Sequence, residues 1–137
     1  MALAPGLRAS VRILVTDTDT ATAMGSGDVP VLATPRLLAL AEAASVAAVT
    51  PSLESGVTSV ATSVAMEHKR ASAIGAQVVV EAELTEVEDR RLVFSFIAWQ
   101  QRPDGSARDE DSIVGAGTVE RVLVDRDRFV RHARQTA

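Results

Sequence analysis

The sequence predicts an α+β fold in which an antiparallel sheet of about five strands wraps around one long central helix. Three features point to it. The stretch TPRLLALAEAASVAAV, residues 34–49, is built from strong helix formers and is apolar on nearly every side. The four stretches after it, 57–68, 76–87, 92–101 and 112–124, alternate with a period of two and are separated by turn residues. One further strand, 6–16, precedes the helix. Consecutive strands joined by tight turns are antiparallel, and a helix with so little polar surface needs a sheet curved around it.

Each element has its own warrant. GLRASVRILVT (6–16) carries the β-branched residues and leucine of a strand. DTDTATAMGSGDVP (17–30) is a loop of Thr, Asp, Gly and Pro. Its GSG lacks the third glycine and the Lys-Ser/Thr of a phosphate cradle, so it reads as a turn. In the helix, Thr34 is placed as the N-cap, Pro35 as the first helical residue and Pro51 as the stop. VTSVATSVAMEH (57–68) is a strand of small and β-branched residues. In AQVVVEAELTEV (76–87), Val78, Val80, Ala82 and Leu84 face one way, and Glu81 and Glu83 the other. EDRR (88–91) and PDGS (103–106) are turns flanking LVFSFIAWQQ (92–101), whose Phe94, Phe96 and Trp99 read as core or interface. SIVGAGTVERVLV (112–124) is the last long strand, and its GAGTVE lacks the closing glycine of a dinucleotide fingerprint. A short, highly charged helix over about 125–134 ends the chain and places His132 on the surface. The reading is one domain over 1–137 with its core in about 7–124, and this order of elements is the hot-dog fold.

Composition narrows the function. A net charge of −4 with scattered or paired cations argues against a nucleic-acid partner. The absence of cysteine removes disulfides, thiolate metal sites and a cysteine nucleophile, and fits a reducing cytoplasm. The N-terminus lacks a signal-peptide pattern, and no apolar run reaches the roughly 20 residues of a membrane helix. A cytoplasmic protein without membrane or nucleic-acid partners is expected.

Three residues stand out chemically. Glu42 has Leu38, Ala39, Ser45, Val46 and Val49 as its neighbours on the helix surface, a setting that either desolvates a carboxylate or lies at a wet edge. Thr34 lies eight residues earlier, just over two turns away, where helix N–H groups also favour developing negative charge. His68 ends the strand 57–68; a histidine there is ordinarily surface decoration, but beside a hydroxyl and a carboxylate it becomes a general base.

The stretches VLATPRLLALAEAA, EHKRASAIG and VVVEAELTEVEDRRLVFSFIA, with the closing GAGTVERVLVDRDRF, resemble the fluoroacetyl-CoA thioesterase family of hot-dog enzymes. The resemblance covers roughly residues 16–130 and includes the order Thr, Glu, His at spacings of 8 and 26. It implies acyl-CoA thioester hydrolysis by a Thr34/Glu42/His68 triad, without metal or redox cofactor, coenzyme A entering only as part of the substrate. It implies a homodimer, with higher oligomers open, and an active site where two subunits meet. His68 would be the general base, Glu42 the nucleophile or the carboxylate that orients water, and Thr34 the hydroxyl that holds Glu42 or the carbonyl. Ala61 stands where the family often has glycine beside the acyl group. Val119 replaces a common histidine, a change expected to touch only the periphery. Lys69 and Arg70, and less specifically Arg90 and Arg91, are the candidates for coenzyme A phosphates. The expected substrate is a small to medium acyl-CoA. The rival reading is a non-catalytic module that binds acyl-CoA or another small ligand. A hot-dog hydratase ranks lower, because no Asp precedes either histidine by five residues on the long helix.

Overall fold

A computed structural model describes residues 2–135. Strand β1 (Arg8–Leu14) is followed by a 3-10 turn at Asp17–Asp19 and a one-turn helix α1 (Ala21–Met24). The long helix α2 (Thr34–Val49) comes next, then β2 (Val57–His68), β3 (Gln77–Glu88), β4 (Arg91–Gln100), β5 (Ile113–Asp125) and a terminal helix α3 (Arg126–Gln135). The five strands form one antiparallel sheet in the order β1-β3-β4-β5-β2. This is the predicted architecture, with boundaries moved by one or two residues.

The period of two explains the core. One face of the sheet presents Val78, Val80, Ala82 and Leu84, then Leu92, Phe94, Phe96 and Ala98, all buried against Leu37, Leu40, Ala41 and Ala44 of α2. Trp99 lies on the other face, half-buried, with the Arg108 guanidinium 4.2 Å from its ring centre. Two-residue connection Asp89–Arg90 closes β3 onto β4, and Asp89 takes the left-handed conformation at φ 53°, which aspartate tolerates. The predicted loop 17–30 holds more order than its composition suggests. Asp19 accepts hydrogen bonds from the Thr16 N–H at 2.9 Å and Arg36 Nε at 2.8 Å, and Ala33 N–H bonds the Asp19 carbonyl. Burial alone would raise the Asp19 carboxyl, but these hydrogen bonds together hold it below the usual range.

Two expectations are corrected. The N-cap of α2 is Ala33, with no side-chain cap, and Thr34 is the first helical residue. Pro35 then falls one position later, where its missing N–H still breaks no helical bond. The helix is not covered all round: Pro35, Ala39, Ala43, Val46 and Ala47 form an exposed apolar stripe, because one sheet can cover only one side of a cylinder. Val119 is completely buried between Val64 and Phe94 on the neighbouring strands.

Gly117 on β5 explains part of the GAG run. A Cβ there would fall onto the Ala65 carbonyl oxygen of β2. Gly117→Ala is expected to cost about 1–3 kcal/mol by forcing the two backbones apart. Denaturant unfolding that shows no loss of stability would refute this close approach.

Candidate active site

The first turn of α2 and the end of β2 meet at one point. The Thr34 hydroxyl lies 2.8 Å from His68 Nδ1. The contact exists because Ala33 is the N-cap of α2, which leaves the Thr34 side chain free of capping duty. His68 is on the helix-facing side of β2, in phase with Val64 and Met66. Its Nε2 is buried and has no hydrogen-bond partner among the described residues. Burial pushes the imidazole below the ordinary histidine value, and the Arg70 backbone opposes that shift.

The pair opens onto a cavity of about 300 Å³. Ala21, Val29, Val31 and Leu32 form the wall supplied by the 17–33 segment. That wall is pinned in place: Ala21 N–H bonds the Val31 carbonyl at 2.9 Å, and Leu32 N–H bonds the Ser72 carbonyl at 2.8 Å. Lys69 and Arg70 line the mouth. Lys69 sits 3.7 Å from the exposed Glu67, and Arg70 reaches Asp111, donating to its carbonyl at 3.0 Å. Among the described residues the N–H groups of Thr34 and Arg36 have no partner, since no side chain caps this turn, and they complete the polar equipment.

Glu42 is elsewhere in the same chain. Eight helical residues carry it about 12 Å along the axis from Thr34. It is half-exposed, and its partner is Arg121 Nη1 at 3.8 Å. Arg121 is 6% exposed and lies under α2 on β5. Its Nε donates to Ser59 Oγ at 2.7 Å and its Nη2 to the Ser59 carbonyl at 3.0 Å. Ala61, directly across from Arg121 on β2, belongs to this second group. One chain therefore holds two separate groups: Thr34, His68, Lys69 and Arg70 at one end of β2, and Glu42, Ala61, Arg121 and Ser59 toward the other.

Arg121 and Ser59 escaped the reading of the sequence. The signal was present, because Arg121 is in phase with the buried Val119 and with Leu123, on the inward side of a strand. Burial lowers the Arg121 guanidinium pKa, with Glu42 opposing the shift.

The profile of the fluoroacetyl-CoA-specific thioesterase family, FlK, matches residues 15–127. The chain belongs to that family. Within it, the fluoroacetyl-CoA thioesterase of Streptantibioticus cattleyicolor is 37% identical over 105 residues, which span 77% of this chain and 69% of that protein. The solved structure of the fluoroacetyl-CoA thioesterase FlK has a TM-score of 0.85 to this chain at 29% identity, covering 100% of this chain and 99% of the other. A thioesterase-superfamily protein of Thermus thermophilus has a TM-score of 0.83 at 24% identity over 97% of this chain and 92% of its own, which supports the fold. The match to the FlK family thus extends over both groups. Among the described residues no helix is long and apolar enough to cross a membrane.

Proposed function

We propose that the chain is an acyl-CoA thioesterase that hydrolyses small to medium acyl-CoA thioesters as a cytoplasmic homodimer, needing no metal or redox cofactor. Membership in the FlK family carries the reaction class. The observation that carries the chemistry is the 2.8 Å contact between Thr34 and His68 at the head of a cavity.

The second copy supplies what one chain lacks. Among the described residues the outer edge of β2 is unpaired over its twelve residues, with Glu67 as its single acidic or basic residue apart from His68. Such an edge, beside the exposed apolar stripe of α2, is suited to pairing with itself. Antiparallel pairing centred between Val64 and Ala65 sets Ala61 of one copy opposite His68 of the other, and so brings Glu42 toward the second copy's Thr34–His68 pair. In this arrangement Thr34 Oγ1 accepts from His68 Nδ1–H, fixing the tautomer with Nε2 as the base. Glu42 orients a water. His68 takes its proton as the C–O bond forms, and the N–H groups of Thr34 and Arg36 hold the oxyanion. Collapse breaks the C–S bond, and the His68 proton passes to the departing thiolate. Lys69 and Arg70 meet the carrier at the mouth, and Ala61 walls the acyl group.

A thiol-release screen from acetyl- to lauroyl-CoA tests the reading; folded protein with no release across the panel refutes it. A pH profile tests the base. With the imidazole held below its ordinary value, His68 stays neutral to lower pH, so the acid limb of kcat/KM is expected below about pH 6.5. The same depressed pKa adds stability that is complete above the unfolded value and is lost as pH falls through the folded one. An acid limb at or above pH 6.5 contradicts the assignment.

A further inference from the structure

A cavity of about 590 Å³ lies apart from the Thr34–His68 cavity. Val57, Leu123, Val124 and Phe129 make an apolar floor between β2, β5 and α3. Arg90, at the tip of the β3–β4 turn, stands on its rim with Arg128 and His132 of α3. Among the described residues the one acid on the rim is Asp125, which accepts a hydrogen bond from the Arg128 N–H at 2.9 Å and so caps the helix.

The arginines are unequally employed. Arg8, Arg36, Arg70, Arg91, Arg102 and Arg121 all have carboxylate partners. Among the described residues the Arg90 and Arg128 side chains have no ion pair or hydrogen bond. Helix α3 has four arginines against one aspartate, a net of +3, on a chain whose total is −4. Uncompensated guanidinium groups over an apolar floor fit a flat heterocycle bearing phosphates, the guanidinium fork matching phosphate oxygens.

We infer that this cavity takes the phosphorylated adenine nucleotide of the coenzyme A carrier. The ring lies on Phe129 and Leu123, and the phosphates meet Arg90 and Arg128. The inference rests on the thioesterase reading for the position of the acyl group. Val57 is four residues from Ala61, about 13 Å along the strand, a separation that an extended pantetheine arm spans. It also divides the cations singled out in the sequence: Arg91 is committed to Glu120 and Glu86, whereas Arg90 is available.

The test uses the Arg90→Ala/Arg128→Ala double variant, with Arg131→Ala on the same helix as control. Kinetics are compared on an acyl-CoA and on the N-acetylcysteamine thioester of the same acid, which lacks the nucleotide. The KM for acyl-CoA is expected to rise about tenfold or more, with kcat and the KM for the short thioester changing less than about twofold. An equal rise on both substrates, or on neither, overturns the inference. Calorimetric titration with adenosine 3′,5′-bisphosphate supplies a readout that does not depend on turnover. Binding by the unmodified protein and by Arg131→Ala, lost in the double variant, supports the site even if no thioester is cleaved. Absent binding, or binding indifferent to the double variant, overturns it. Arginine-dependent nucleotide binding without any change in the acyl-CoA KM shows a free-nucleotide site and overturns the carrier assignment.

Discussion

His68→Ala is expected to lower kcat for acyl-CoA hydrolysis by roughly two to four orders of magnitude, the usual contribution of a general base. The histidine is only half-buried at a strand end, so the variant should fold, and its unfolding midpoint provides the control. Thr34 acts through His68, and its replacements should separate two effects. Thr34→Ser keeps a hydroxyl that can reach Nδ1 and should retain most of the rate. Thr34→Val keeps the shape, removes the hydrogen bond and should lose about tenfold or more, with the acid limb of the pH profile displaced. A folded His68→Ala protein that retains near-normal thiol release would remove the imidazole from the mechanism.

The second large effect comes from mixing two inactive proteins. Glu42→Ala and His68→Ala each disable every site in a homodimer. If each site takes His68 from one copy and Glu42 from the other, a mixed dimer contains one intact site and one doubly altered site. Random reassortment yields half mixed dimers, so activity should return to about a quarter of the unmodified level. Were both residues drawn from the same chain, every site in a mixed dimer would stay disabled and mixing would restore nothing. The geometry favours the first outcome: Glu42 lies about 12 Å along α2 from Thr34, beyond the reach of a side-chain hydrogen bond. Subunit exchange can be followed with affinity tags of two kinds, and the purified mixed dimer should show about half the unmodified rate.

The sequence by itself determined the elements and their faces. Alanine and leucine over 34–49 form a helix wherever they are placed, and alternation along 76–87 and 92–101 selects the buried side of a strand before any partner is known. The same local rules put Thr34 near a helix start and His68 at a strand end. Tertiary structure alone decided what these residues touch. Whether Ala33 or Thr34 caps α2 depends on the Asp19 carbonyl, which takes the Ala33 N–H from fourteen residues back along the chain. That choice frees the Thr34 hydroxyl for an imidazole 34 positions away. Likewise Arg121 reads as a charge in an apolar strand until Ser59 and Glu42 are seen to flank it from two other elements. Helical and strand periodicity are local properties of the backbone, legible in one dimension. A hydrogen bond or ion pair is a relation between groups that only the packed chain brings within about 3–4 Å, and spacing along the sequence does not encode it.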